Sequence, residues 1–381
     1  MSAEILARFA AVAAEPYQVA RKWQRDLRRP VFGCLPMHIP EEVIHAAGAL
    51  PVVVLASDEG TALADTRLQV IVCSVVRSAL NMGMSGELDF LDGIAFADTC
   101  DSFQAVSEVW RKNCRPQFVH FVGLPLQLDR PSAAAFLRQQ LARLGEAVQA
   151  VGGRPVTADA LRQSIAVYND NRALVQQLYR LRRANPTLLR TADLLNVAVA
   201  GMVMPKEVHS AWLRELLPDL EAQAGQQGPA AGRPVRVVLS GSLCDNPDAD
   251  LVSLIEDLGA VVVDDDLYTG SKYFAGEAPP NGDPLDAIVA RYLNAPPCPT
   301  KYDPRQNLAD YLIGLARAAD AEGIIVLQVK FCEPHAFDLP NLRQKFDAAG
   351  LPYLFVETEQ EGGSLGQIRT RLQAFVETLG G

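Results

Sequence analysis

No apolar run of about 18 residues occurs anywhere in the sequence, so no stretch of it can cross a bilayer as a helix. Nor is there a surplus of basic residues: 35 Lys and Arg stand against 45 Asp and Glu, a formal net charge of −10. Neutralising a phosphate backbone needs clustered cations. The nearest approach to a cluster, Tyr179-Arg-Leu-Arg-Arg183, has the helical spacing of a solvated face, so no nucleic-acid partner is expected. The chain also lacks a Gly-x-x-x-x-Gly-Lys-Ser/Thr loop and a Gly-x-Gly-x-x-Gly fingerprint, and with them any recognisable site for ATP or NAD. Residues 1–9 carry neither the basic start nor the small-residue cleavage site of a secretion signal, which predicts a cytoplasmic chain. Cysteine is present, but seven of them, an odd number scattered over a long chain, make no disulfide framework.

With 381 residues and 49% hydrophobic side chains the chain can bury a sizeable core, and its length is a prior for two or three domains. Apolar positions at helical spacing over residues 2–28 predict one or two surface helices interrupted at Pro16. A regular alternation follows. Strands are expected at Val31-Phe-Gly-Cys-Leu, Pro51-Val-Val-Val-Leu, residues 92–97 and Phe118-Val-His-Phe-Val, with helices from Pro40, Cys73, Asp101 and Ser132. Residues 155–222 have helical periodicity and no convincing strand. The Gly/Gln/Ala/Pro-rich stretch at 224–234 has the composition of a linker. Alternation then resumes, with strands from Val235, Ala260, Ile324 and Tyr353 and helices ending at Leu258, near Leu312, near Leu342 and from Ser364. Such alternation predicts an α/β protein with mostly parallel sheets: an N-terminal α/β domain over 1–154, a helical excursion and linker over 155–232, and a C-terminal α/β domain over 233–381.

Three cysteines stand where strands give way to turns. Cys100 follows the apolar strand Gly93-Ile-Ala-Phe-Ala, with Asp101 placed to cap the next helix; Cys73 opens Cys-Ser-Val-Val-Arg; Cys332 follows Gly323-Ile-Ile-Val-Leu-Gln-Val-Lys-Phe. Carboxyl-end crevices of open α/β sheets are where ligands bind. Thiolates suit iron in a sulfur environment, so Cys73, Cys100 and Cys332 are the candidate ligands of one iron–sulfur cluster. Their spacing is a weak signal alone, and only a fold that gathers three loop ends would bring them together. Three ligands rather than four would leave one iron open to substrate or solvent.

Four segments in order carry a resemblance: Gly33-Cys-Leu-Pro-Met-His-Ile-Pro-Glu-Glu-Val-Ile-His-Ala-Ala-Gly48, Asp98-Thr-Cys-Asp101, Gly241-Ser with Gly259-Ala-Val-Val-Val-Asp-Asp-Asp266, and Lys330-Phe-Cys-Glu-Pro-His335. Together they resemble the 2-hydroxyacyl-CoA dehydratase and benzoyl-CoA reductase family, from about residue 30 to residue 375. The resemblance implies two flavodoxin-like domains with a [4Fe-4S] cluster in the cleft, held by Cys73, Cys100 and Cys332, and a partner subunit of the same fold that also bears a cluster. It further implies an acyl-CoA substrate, separate ATPase subunits and ferredoxin as the electron donor. Many members have a cysteine and a serine where this chain has Pro36 and Met37. Losing that thiol disfavours a double-cubane cluster, and losing the hydroxyl removes a group that could handle a substrate 2-hydroxyl. Both favour the reductase branch, in which benzoyl-CoA is reduced to a cyclic diene. The alternatives are a radical, redox-neutral (R)-2-hydroxyacyl-CoA dehydratase subunit and a non-catalytic electron-relay subunit with a fully ligated cluster.

Around these motifs, Met37 is expected to line the acyl pocket. His38 and His335, in motif loops, could donate a proton as groups titrating near neutrality, or hydrogen-bond a cluster sulfur or a backbone carbonyl; His38 is the candidate catalytic donor. Cys34 and Cys114 read as packing. Cys244 and Cys298 lie in loops, Cys298 being the stronger candidate for an extra ligand or a site wall. His120 reads as a satisfied core histidine, and Asp264-Asp-Asp266, with Tyr268 and Gly270 nearby, as a cap and solvated turn. Arg77 and Lys330, beside the candidate ligands, could stabilise thiolates or contact coenzyme A phosphates.

Overall fold

The computed structural model describes residues 1–35, 37–56, 60–116, 118–225, 234–241, 249–359 and 365–380. Pro36, Cys244, most of the linker stretch, and Ser242 of the Gly241-Ser pair lie outside them. Long apolar runs that alternate with amphipathic segments can bury both faces of a strand only in a parallel sheet covered by helices. The chain does this twice. β1 (Val31–Leu35), β2 (Leu50–Val53), β3 (Gly93–Ala97) and β4 (Val119–Val122) form a parallel sheet in the order β2-β1-β3-β4. β5 (Val235–Gly241), β6 (Ala260–Asp265), β7 (Gly323–Val329) and β8 (Tyr353–Thr358) form a second in the order β6-β5-β7-β8. Both are the same topology, and the fold is α/β with two flavodoxin-like sheets. Every residue of β1, β2, β3, β6 and β7 is buried.

Helices α1 (Ser2–Ala14) and α2 (Gln18–Leu27) precede the first sheet, and α3 (Glu41–Ala46), α4 (Ser74–Ser85), α5 (Asp101–Asn113) and α6 (Pro131–Ala150) are interleaved with it or follow it. Next come α7 (Ala158–Ala184), α8 (Thr191–Val203) and α9 (Lys206–Ala224). The second sheet carries α10 (Ala249–Asp257), α11 (Pro284–Leu293), α12 (Leu308–Ala318), α13 (Glu333–Ala349) and α14 (Leu365–Gly380). Local chemistry sets several starts. Thr157 accepts from Ala160 N at the head of α7, Asp283 from Leu285 and Asp286 N at α11, and Asn307 from Ala309 and Asp310 N at α12.

The two surface helices broken at Pro16 are present: α1 buries one stripe, Ile5, Phe9, Val12 and Ala13, on α8 and α9 and leaves Ala3, Glu4, Ala7, Ala11 and Ala14 exposed. Two expectations need correction. Asp101 does not cap α5; Cys100 holds that position. The Tyr179–Arg183 stretch is not a solvated face, since Tyr179 and Arg182 are buried and Arg182 donates to Leu189 O and to Val262 O. α11 went unread because it follows a Pro/Gly-rich segment and is only ten residues long.

Candidate functional site

In each sheet the strand order reverses beside the first-entered strand, β1 or β5, so connections on either side leave toward opposite faces and open a crevice at the carboxyl edge. The segment after β3 places Thr99 and Cys100 there, and the segment after β7 places Phe331 and Cys332. One cavity takes both, together with Cys73, Met37, Phe103 and His335. The three cysteines singled out from the sequence thus share a single cavity between the two sheets.

Each of the three is the N-cap residue of a helix, Cys73 of α4, Cys100 of α5 and Cys332 of α13. Each cysteine therefore stands at the positive end of a helix macrodipole, without its side chain making a cap hydrogen bond. At Cys100, burial raises the thiol pKa while the N–H groups of Phe103 and Ser102 act to lower it. Phe331, just before Cys332, has φ of +63°, a left-handed conformation uncommon for a bulky side chain. Among the described residues no group of three His, Cys, Asp or Glu side chains is arranged to hold a single metal ion. The cations next in sequence are engaged elsewhere: Arg77 Nη1 pairs with Asp65 at 3.1 Å, and Lys330 Nζ with Glu359 at 3.3 Å. A further cation near these thiols is Lys301, whose Nζ donates to Asp98 O at 2.8 Å; burial lowers its pKa, and Cys298, Asp98 and Cys100 oppose that.

A second cavity lies behind Met37, lined by His38, Glu41, Glu42, Tyr168, Arg172 and Lys206 among others. Its wall is charged and buried. Glu42 pairs with Arg172, and Glu41 accepts from Lys206 Nζ at 3.2 Å, Tyr273 Oη at 2.5 Å and Tyr168 Oη at 3.2 Å. Burial acts to raise the Glu42 pKa, but Arg172 and Arg291 overcome it and hold the carboxyl at about 2. A third cavity, of about 340 Å³, is lined by His38, Tyr292, Cys298, Lys301, Asn307 and Asn341. His38 stands between the second and third. Its backbone N donates to Tyr268 Oη at 3.0 Å, its Nδ1 lies 2.8 Å from the same oxygen, and its φ is +67°. Burial first, then Lys301, Lys272 and Arg291, push its pKa well below the usual imidazole range. His335 is likewise pushed down, to about 3, by burial and Lys272.

Cys34 is buried in β1 and Cys114 closes α5, its thiol pushed up to about 12 by burial. Cys298 does not join the three thiols; its Sγ lies 3.2 Å from Thr300 Oγ1, and Thr300 lines the cysteine cavity. His120 is only half-buried on the edge strand β4, and its Nε2 has no partner among the described residues. The Asp264–Asp266 run is not a solvated turn: all three are buried, with Asp264 paired to Arg183, Asp265 accepting from Tyr179 Oη at 2.7 Å and Asp266 paired to Lys272 at 2.9 Å. Sequence reading passed over Tyr292, Arg291 and Lys301. The first two sit in the helix that went unread, and the third lies in a loop whose proline-rich composition carries no chemical signal.

The family described as "2-hydroxyglutaryl-CoA dehydratase, D-component" matches residues 36–379. The chain is 30% identical to a benzoyl-CoA reductase subunit of Thauera aromatica, over 99% of this chain and 98% of that one. It is 27% identical to the (R)-phenyllactyl-CoA dehydratase beta subunit of Clostridium sporogenes, over 97% of each. It is also 26% identical to the beta subunit of (R)-2-hydroxyglutaryl-CoA dehydratase of Acidaminococcus fermentans, over 98% of this chain and 99% of the other.

Proposed function

The chain belongs to the 2-hydroxyglutaryl-CoA dehydratase D-component family, and from that premise we propose that it is the iron–sulfur subunit of a benzoyl-CoA-reducing complex. The observation that carries the reading is the convergence of Cys73, Cys100 and Cys332 on one cavity, each at a helix N-terminus. This donor set fits a [4Fe-4S] cluster. Three soft thiolates are the ligand type that iron takes, and a cluster spreads its terminal ligands over separate corners, whereas a single ion needs them within grasp of one another. When bound, the cluster would supply one-electron transfer at low potential.

The chain's own residues contribute the setting. The positive ends of three helices favour anionic sulfur, and Val75, Phe103, Val329 and Phe331 give the cavity an apolar lining that limits water. Met37 lines both this cavity and the charged one behind it, so it stands between the cluster site and the space for a substrate. Met37 also favours reductase over dehydratase chemistry, because its thioether offers no hydroxyl to a substrate 2-hydroxyl group. A homologous subunit and separate ATPase chains complete the complex in this reading, with ferredoxin as donor.

The test is iron and sulfide quantitation with EPR on the strictly anaerobic protein, then turnover of the complex with two substrates. We expect a cluster signal in the wild type, its loss in Cys100→Ala and its retention in Cys298→Ala. Net electron consumption with benzoyl-CoA supports the reductase reading, whereas redox-neutral water loss from a 2-hydroxyacyl-CoA would assign the chain to the dehydratases. An iron-free wild type would remove the cluster from the account.

A further inference from the structure

The loop after β1 touches all three cavities: Met37 lines the cysteine cavity and the charged one, and His38 lines the charged one and the third. Tyr292 lines the same two as His38. The two rings meet edge to face with centroids 5.4 Å apart.

Both present a buried polar atom with no partner among the described residues, His38 Nε2 and Tyr292 Oη. This is costly, because a buried donor or acceptor without a partner forfeits its hydration. Tyr292 is only 7% exposed, so solvent does not satisfy the hydroxyl. The other ring nitrogen of His38 already faces Tyr268 Oη at 2.8 Å, which leaves Nε2 as the edge that can meet a ligand. The left-handed backbone at His38 fixes this orientation against local preference, as functional positions often do.

Charge indicates what kind of ligand. Arg172, Lys206 and Lys272 on the wall each have a carboxylate partner, Glu42, Glu41 and Asp266. Arg291 has none among the described residues. Its guanidinium donates only to the carbonyl oxygens of Gly276 at 3.2 Å, Tyr273 at 3.4 Å and Ala275 at 3.1 Å. Lys301, across the third cavity, likewise meets a main-chain oxygen. Glu42 lies in the field of Arg291, but the cations Arg172, Lys206, Lys272, Arg291 and Lys301 around His38 and Tyr292 outnumber the carboxylates Glu41, Glu42 and Asp266, which favours an oxygen that bears or develops negative charge.

We propose that His38 Nε2 and Tyr292 Oη form a binding site for a ligand carbonyl oxygen, under the field of Arg291, and that the acyl oxygen of a coenzyme A thioester is its occupant. The thioester assignment rests on the acyl-CoA reading above; the oxygen site itself rests on the unpartnered pair and the unpaired cation. A free carboxylate offers the same chemistry. Met37, next to His38 in the chain, would then separate the bound oxygen from the thiols.

The experiment is anaerobic calorimetric titration of the full chain with benzoyl-CoA, with S-benzyl-CoA, in which a methylene replaces the carbonyl, and with benzoate. Two variants are compared with the wild type: Tyr292→Phe, which removes only the hydroxyl, and His38→Asn, because asparagine tolerates positive φ. We expect each to weaken benzoyl-CoA binding about tenfold, the worth of one hydrogen bond in a buried site, and to leave S-benzyl-CoA binding unchanged. Melting temperatures within a degree or two of the wild type would show the fold intact. If benzoate binds with the same dependence on Tyr292 and benzoyl-CoA does not, the oxygen site stands and the acyl-CoA reading fails. Equal losses for benzoyl-CoA and S-benzyl-CoA, no loss for any ligand, or a wild type that binds none of the three would overturn the proposal.

Discussion

Glu42 and Arg172 face each other almost wholly out of water, beside a second buried pair, Glu41 and Lys206. Such a pair adds little net stability relative to apolar packing, but it is unforgiving of partial removal, since one partner alone is a buried, uncompensated charge. Arg172→Met should therefore lower the unfolding free energy at pH 7 by about 3–5 kcal/mol, read from the urea midpoint. Removing Arg111 from its exposed pair with Glu108 should cost under about 1 kcal/mol. A loss at Arg172 as small as that at Arg111 would mean that Glu42 has another source of compensation. The residues differ in how readable they were. Cys100 and Cys332 could be found because an apolar run that stops at a turn marks a strand end, and a strand end marks the ligand edge. Tyr292 and Arg291 could not, because an aromatic and an arginine in a helix look the same whether they face a cavity, a neighbouring helix or water. Only the placement of their partners distinguishes these cases.

At the scale of elements, α4 and α5 present two of the three cysteines, so their packing sets how closely two thiols approach. Gly83 on α4 is where they touch: a Cβ there would lie 2.5 Å from the Trp110 indole, and Trp110 is fully buried. Gly83→Ala should cost about 1–3 kcal/mol by overpacking and should weaken cluster retention, because α4 must shift with Cys73 at its head. The contrast is Gly314 on α12, where a Cβ would meet nothing within 4 Å. Gly314→Ala should stabilise by about 0.5–1 kcal/mol through helix propensity alone. Thermal unfolding of the two variants decides it, and a stabilised Gly83→Ala would show that the α4–α5 contact can relax. Most elements were legible in the sequence because hydrophobic period and punctuation agreed. α11 was not, and the amphipathic stripe of α1 says that one face is buried without saying against what. Phe9 is covered by His209 and Trp212, which come from about 200 residues later, a contact that no local pattern encodes.

For the whole molecule, the two sheets share one topology and are joined on the cavity side by short contacts, including the bridge between Gln127 and Tyr302 and the Lys301 bond to Asp98. The α7–α9 layer also joins the halves, and His209 of α9 is buried within it. Its ring packs against Phe9 of α1 and stacks with Phe274 of the second half; its Nε2 donates to Val197 O at 2.8 Å, and its Nδ1 accepts from Asn171 Nδ2 at 2.8 Å. Both nitrogens are satisfied by the neutral ring, and a second proton would face the Asn171 amide hydrogens. Burial lowers the pKa to about 3; the Val197 carbonyl opposes that and Lys206 adds to it. A histidine with a depressed folded pKa binds fewer protons folded than unfolded at any pH between the two values. Its contribution to stability is therefore complete above about 6.5 and is lost as the pH falls toward 3, with a slope on the order of 1 kcal/mol per pH unit. The Glu42 contribution has the same sign, but it begins to fall only below about 4.5, so the interval from 6.5 to 4.5 is free of it. His38, His120 and His335 are depressed in the same direction and steepen the wild-type curve. The readout is thus the difference between the wild type and His209→Gln, whose amide can keep the bond to Val197 O without titrating. Urea unfolding across that interval should give a shallower loss in the variant, by about one proton's worth. Parallel curves would mean that His209 is already protonated in the folded protein, or that the layer joining the two halves opens to water before the rest unfolds.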